Sequence, residues 1–228
     1  MKRALIVGAG GDIARALAGA LDDDYEITSI SRQPGEGERW HQTDYSEESV
    51  ESLARKIERG FDLMFICNGF LHDDEHRPEK SLRDISRDQL LTSFDRNVVV
   101  PALILKYFGK HLMRRQRTVL AILSARVGSI DDNRAGGWYG YRASKAALNM
   151  ITKNASIELG RTNRELIVIA LHPGTTHTHL SAPFVAEGRG PEAVTPEETA
   201  TRLLDVLRGL DSRDTGGFFD WRGNRLPW

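Results

Sequence analysis

Five short runs, Ala4–Val7, Ile27–Ile30, Leu63–Ile66, Val119–Leu123 and Ile167–Leu171, constrain the fold of this chain more than any other feature. They are largely apolar and rich in β-branched side chains, the pattern of strands buried on both faces. Amphipathic segments of helical period lie between and after them, at Ala14–Leu21, Ser46–Ile57, Arg87–Met113, Tyr141–Leu159 and Pro196–Leu207. Strands that alternate with helices predict an α/β fold, a parallel sheet with helices on both faces. Local signals agree. Ser46, Glu48 and Ser49 form a capping-box-like start, and Pro196 with Glu197 and Glu198 suits a first helical turn and its dipole. Two segments carry no such period, Leu71–Arg83 and Thr178–Val194, and both read as long surface loops of the kind that often carry function.

A chain of 228 residues can bury a substantial core, so one domain over 1–228 is expected. With 28% charged residues and a net charge of -1, there is no basic excess to attract nucleic acid or an anionic membrane. The basic start Met1-Lys2-Arg3 precedes an apolar run that stops at Gly8, too soon for a secretion signal. No run approaches the length of a membrane span. The single cysteine, Cys67, excludes an intramolecular disulfide and suits a reducing compartment, so a cytoplasmic protein is expected. Cys67 reads as a small packing residue rather than a nucleophile. The histidines show no metal-ligand spacing, and no metal site is expected.

The first run leads directly into Gly8-Ala9-Gly10-Gly11-Asp12-Ile13-Ala14 and then into helical pattern, the context of a dinucleotide-binding turn. Glycines permit positive φ and close approach of backbone N–H groups, and the helix that follows points its positive end at a pyrophosphate. The bland alternative is a tight turn with Asp12 as a helix N-cap. Tyr141 and Lys145 stand four residues apart, on one face of a helix. An ammonium beside a phenol favours the phenolate and draws its pKa down from about 10 toward the range of acid–base work.

With Gly8–Ala14, Asn97, Tyr141-x-x-Ser144-Lys145 and Pro173-Gly174-x-x-x-Thr178 in this order, the chain resembles the short-chain dehydrogenase/reductase superfamily over nearly its whole length. Leu123–Ile130 and Gly136–Ala147 resemble its C-factor-like branch, named for a bacterial cell–cell signalling protein. The resemblance implies a single Rossmann-type doubly wound sheet. It implies that Tyr141 protonates a substrate carbonyl oxygen and that Lys145 activates Tyr141 and holds the nicotinamide ribose. It further implies that Asn97 anchors a relay water, that Pro173 and Gly174 line the nicotinamide, and that Thr176 and Thr178 contact the cofactor. Gly8, Gly10, Gly11, Asp12 and Ile13 would form the pyrophosphate turn. Asn68 and Gly69 stand where the family has Asn-Asn-Ala-Gly, and Asp44 resembles the aspartate that contacts the adenine.

The chain departs from the family at the substrate-orienting serine, where Ala125 stands. Ser124, one residue early, is the preferred substitute and Ser129 the alternative. After the second strand an NAD enzyme offers a carboxylate to the ribose 2′-hydroxyl, whereas Ser31-Arg32 here suits a 2′-phosphate, so NADP(H) is expected over NAD(H). The leading expectation is reversible reduction of a small carbonyl compound, with the alcohol as product. The family also implies a homodimer or homotetramer. A second expectation is a low-turnover dinucleotide sensor or signalling protein, and a third a scaffold with a vestigial site. The substrate would sit between the loop at about 178–195, the Leu71–Arg83 loop and the aromatic end Phe218–Trp228, where Trp221, Pro227 and Trp228 could equally pack the core edge.

Overall fold

The computed structural model describes residues 1–185 and 193–228. Seven strands form one parallel sheet: β1 Lys2–Val7, β2 Tyr25–Ser31, β3 Trp40–Gln42, β4 Leu63–Ile66, β5 Thr118–Leu123, β6 Leu166–His172 and β7 Gly217–Asp220. Their order is β3-β2-β1-β4-β5-β6-β7, so the winding reverses between β1 and β4. Val7 is level with both Ile30 and Ile66, and the three strands therefore end together, opening a crevice at that reversal.

Helices cover both faces: α1 Asp12–Leu21, α2 Glu47–Lys56, α3 Arg87–Phe94, α4 Val100–Phe108, α5 Tyr139–Gly160, the short α6 Ala182–Val185, and α7 Pro196–Gly209. Successive strand residues feed opposite cores. Ile6, Phe65, Ala121 and Ile169 pack against α1 and α7, while Leu5, Met64, Leu120 and Val168 pack against α2, α4 and α5. This is why the central strands carry no polar alternation. Among the described residues no helix is long and apolar enough to cross a membrane.

Two edge strands lie outside the five apolar runs: β3 is the polar Trp40-His41-Gln42, and β7 lies in what reads as an aromatic tail. Phe218 is fully buried and stacks on Trp228 at 5.5 Å, so this end closes the sheet rather than lining a substrate site. The helix expected over Arg87–Met113 is interrupted by one π-helical turn at Asp95–Val99, in which the Val100 N–H reaches back to Asp95, and α4 ends at Phe108. Pro101 explains the break, because it has no N–H for the carbonyl of Asn97 four residues earlier. Single π turns of this kind recur at functional sites.

The segment Leu71–Arg83 is also no open surface loop. His76 is buried between Asp73 and Asp88, at 2.7 and 2.9 Å, and both carboxylates hold its pKa above the ordinary histidine value. Arg96 ties Asp73 to the π turn and stacks over Phe70. Glu79 is buried as well, its carboxylate accepting from the Gly140 N–H at the start of α5 at 3.1 Å. The loop thereby sets where the Tyr141 helix begins.

Candidate active site

The glycine turn is shaped by close approach. Gly8 has φ +78°, and a Cβ there would lie 3.0 Å from the Asn68 nitrogen and 3.1 Å from the Cys67 carbonyl carbon. Only glycine lets β1 leave the sheet so close to the end of β4. The Gly8 N–H also donates to the Tyr45 hydroxyl oxygen at 3.1 Å. Gly11 is the N-cap of α1 and offers no side chain, so the first helical amides have no side-chain cap. Asp12 does not cap the helix: it is the first helical residue, and its carboxylate accepts from the His179 N–H at 2.8 Å. That bond ties the turn to the segment after β6. Ile13 is half-buried against the core and lines the main cleft.

At the end of β2 the buried Ser31 faces Gly10, whose added Cβ would lie 2.8 Å from Ser31 Oγ. Arg32 is exposed, and among the described residues it pairs with no carboxylate; only its carbonyl is bound, by Gln42. Arg15, one turn into α1, reaches Gln33 at 3.4 Å and adds a second cation to this corner. Asp44 is exposed and accepts from the Ser46 hydroxyl and N–H, which hold its carboxyl below the usual range. On the other side of the crevice, Asn68 Oδ1 is buried with no partner among the described residues. Cys67 is a half-buried packing residue whose thiol burial pushes up to about 12.

Tyr141 and Lys145 sit on the first turns of α5. Gly128 makes this possible, since a Cβ there would lie 2.8 Å from the Lys145 Cβ. Lys145 is 3% exposed, and its ammonium donates to the Leu123 carbonyl at 3.0 Å and lies 5.9 Å from the Tyr141 ring centre. It also comes to 3.9 Å from where a Cβ on Gly69 would be, which joins the pair to the β1–β4 crevice. The electrostatics correct one expectation. Burial dominates both groups, pushing Tyr141 up to about 12 and Lys145 down to about 8. Desolvation of the Tyr141 phenol thus outweighs the downward pull expected from Lys145 and favours the neutral form.

Asn97 is fully buried. Its side chain brackets Phe70, accepting from the N–H at 2.7 Å and donating to the carbonyl at 2.8 Å, and it also donates to Ser144 at 3.0 Å. The side chain is therefore structural, and its backbone carbonyl is offered no N–H by Pro101, four residues on. Ser124 is likewise committed: its hydroxyl donates to Asn149 at 2.6 Å inside the protein. Ser129 lies away from the cleft wall and donates to the Trp228 carbonyl at 3.3 Å. Both hydroxyls are thus bonded within the protein, as a one-residue shift along a strand turns a side chain to the other face. Ser124 and Ala125 both belong to the cleft wall, with the Ser124 hydroxyl turned to Asn149.

After β6, Gly174 has φ +80° and a Cβ there would lie 2.8 Å from the Trp221 ring. Pro173 and Gly174 line the cleft as expected of the motif. Thr176 is buried with its hydroxyl on Thr199 at 2.8 Å, so that side chain anchors α7 rather than facing a ligand. Thr178 shares its hydroxyl with Ser181 at 3.1 Å. Of the substrate loop expected over 178–195, residues 186–192 lie outside the described residues. The described part meets the Leu71–Arg83 segment through His72, which bonds the Leu180 carbonyl at 3.1 Å and packs edge-on against Phe184.

These elements enclose a cleft of about 640 Å³ with Tyr141 in its wall. Trp138, Phe184, Leu71 and Val127 give it an apolar side, and Arg126, Arg134 and Arg142 a basic one. His172 lines it too, with Nδ1 buried and without a partner among the described residues, and burial pushes its pKa down to about 4. No metal-binding cluster occurs among the described residues. The reading of the sequence missed Tyr45, Glu79, Trp138, Arg142 and His172, for which only proximity to a motif residue gave a signal.

Residues 2–188 match the profile of the short chain dehydrogenase family. Over its full length the chain is 29% identical to 1-hydroxy-2-glutathionyl-2-methyl-3-butene dehydrogenase of Rhodococcus sp. (strain AD45), covering all of that protein. It is 31% identical to C-signal of Myxococcus xanthus over 65% of this chain and 84% of that one. Its fold is that of the NADPH-bound carbonyl reductase from chicken fatty liver, with a TM-score of 0.81 over 100% of this chain and 99% of that one at 21% identity. The chain belongs to the short chain dehydrogenase family.

Proposed function

We propose that the chain is an NADP(H)-dependent oxidoreductase, one dinucleotide-binding domain over 1–228, that interconverts a small carbonyl compound and its alcohol with Tyr141 as acid and base. The observation that carries the reading is the pair of half-buried Tyr141 and buried Lys145 at the wall of a cleft that opens onto the β1–β4 crevice. A dinucleotide fits that crevice: the Gly8 cradle excludes any side chain, the α1 amides are uncapped, and Asn68 Oδ1 is orphaned beside them. Gly8, Gly10, Gly11 and Ile13 would hold the pyrophosphate, Asp44 the adenine, Asn68 and Gly69 the adjoining ribose, and Lys145, Pro173, Gly174 and Thr178 the nicotinamide half. Asp12 is turned to His179, so its charge is partly engaged by that N–H.

When bound, the nicotinamide supplies or accepts a hydride with its electron pair. In reduction Tyr141 Oη gives its proton to the carbonyl oxygen, and in oxidation it takes one from the alcohol. Lys145, charged below about pH 8, stabilises the phenolate left after proton transfer. Lys145 then passes a proton to the Tyr141 phenolate, and a water at the Asn97 carbonyl, to which Pro101 offers no N–H, restores the proton to Lys145. Turnover of NADPH with aldehydes and ketones tests the reading, and a panel that gives none, with the cofactor still bound, contradicts it.

The preference for NADP(H) over NAD(H) is supported by Ser31 and Arg32 at the end of β2, with Arg15 beside them. Arg32→Asp is expected to weaken NADPH binding by about 10- to 100-fold, as loss of a charge-assisted contact does, and to change NADH binding far less. Isothermal titration with both cofactors reads this, and an equal loss for the two overturns the assignment. We also propose a homodimer or homotetramer formed through α4 and α5, where Met150 and Ile157 are exposed. Sedimentation velocity tests it, and a monomer contradicts it. A second reading, a dinucleotide sensor of low turnover, is favoured by one observation, the internal hydrogen bonds that engage the Ser124 and Ser129 hydroxyls. It predicts tight NADPH binding with no carbonyl reduced.

A further inference from the structure

We infer that the cleft selects a carbonyl compound carrying a carboxylate, with Arg142 as the carboxylate's anchor and Arg134 as a second cation beside it. The inference rests on the reductase reading above and adds to it the class of substrate. Among the described residues the cleft wall holds three arginines and one acid, Asp132. Asp132 is already taken by Arg126, whose Nε donates to it at 2.5 Å. Arg134 and Arg142 bond only backbone carbonyls among the described residues.

Arg142 is the more constrained of the two. It is half-buried and follows Tyr141 directly. Its Nε is shared by the Gly136 and Gly137 carbonyls at 3.1 and 3.0 Å, and Nη1 reaches the Val127 carbonyl at 3.4 Å. Those bonds fix the guanidinium plane and leave Nη2 without a partner among the described residues. Burial alone lowers its pKa, which marks a cation losing water without gaining an anion. A partly desolvated guanidinium of this kind is stabilised by a carboxylate, which it can grip through two parallel N–H bonds.

The rest of the wall suits an apolar body on the same molecule. Trp138 is held with φ +52°, a backbone conformation costly for a bulky residue, and its ring lies 5.1 Å from Phe184. Leu71 and Val127 extend that surface. The cofactor's 2′-phosphate does not account for the arginines. The proposed 2′-phosphate corner is at the end of β2, three strand spacings from β5, or roughly 14 Å.

The test uses the full chain with NADPH and two matched aldehydes, 4-carboxybenzaldehyde and its methyl ester. A kcat/KM at least about tenfold higher for the acid is expected, the size of one charge-assisted contact, and the ratio should shrink as salt rises. Arg142→Met should bring the ratio toward one, and Arg134→Gln should lower it in part. Should Arg142→Met fail to fold, the salt dependence and Arg134→Gln still decide. Equal kcat/KM for acid and ester overturns the inference, as does a preference that survives both substitutions. If neither aldehyde is reduced, quenching of tryptophan fluorescence by each compound separates the two claims. Tighter binding of the acid keeps the anion pocket and removes the reductase reading; equal binding removes both.

Discussion

Tyr141→Phe is expected to lower kcat for carbonyl reduction by about 10²- to 10⁴-fold, the contribution of a positioned general acid. The substitution keeps the ring that packs edge-on to Trp138 at 6.1 Å and removes only the hydroxyl, so NADPH binding and the melting temperature should stay near those of the unaltered protein. The pH dependence follows from the same burial. Because Tyr141 is pushed up to about 12, it is protonated and able to donate across the neutral range. Lys145, pushed down to about 8, is charged below that value and loses its proton above it. Reduction should therefore hold its rate up to about pH 8 and decline beyond, while alcohol oxidation, which needs the phenolate, should climb with pH. Steady-state rates in both directions from pH 6 to 10 check this; reduction that accelerates above pH 8 contradicts the assignment.

Gly8→Ala is the second change with a large expected effect. The residue sits at φ +78°, where a side chain costs about 1–2 kcal/mol. Its new Cβ would meet backbone, the Asn68 nitrogen at 3.0 Å and the Cys67 carbonyl carbon at 3.1 Å, and backbone does not move aside as a flexible side-chain end does. A total loss of about 2–3 kcal/mol corresponds to a melting temperature lower by roughly 4–12 °C for a domain of this size. The same displacement should open the cofactor cradle and weaken NADPH at least about tenfold, since the N–H groups there act only at close approach. Gly19→Ala, in the middle of α1 with nothing within 4 Å of its added Cβ, is the control and should stabilise by about 0.5–1 kcal/mol. Thermal melts and cofactor titration of both variants read the difference. If Gly8→Ala melts and binds like the unaltered protein, the cradle is not what the geometry indicates.

The central strands were legible because each is buried on both faces, and burial on both faces leaves no choice but a continuous apolar run. Edge strands escape that rule. β3 buries no core residue of its own and β7 reads as an aromatic tail, so neither carries the pattern. The helix break at Asp95–Val99 was within reach, since Pro101 denies Asn97 its donor, yet a single proline near a helix start is ordinarily tolerated.

For the candidate site, residue types at motif spacing located the glycine turn, the pair and Pro173-Gly174, but not the direction in which side chains point. Ser124 shows the difference: it is one position from the family's serine, and the pleat turns its hydroxyl to Asn149. Thr176 is similar, its hydroxyl spent on Thr199. The pKa of Tyr141 went the other way from the simple charge argument because desolvation depends on three-dimensional packing that no spacing reports. Glu79 and Trp138 were invisible for a related reason, since they act through a segment with no periodicity of its own.

The central claim is that Tyr141 donates the proton while a hydride moves from NADPH to a carbonyl carbon. The most direct measurement is mass spectrometry of the alcohol formed from 4-carboxybenzaldehyde with NADPH deuterated at C4, each face labelled in turn. The account predicts one deuterium on the carbinol carbon from one of the two labels, at a rate that Tyr141→Phe reduces by the factor above. Alcohol free of deuterium from either label, or a labelled product formed as fast by Tyr141→Phe, would contradict it.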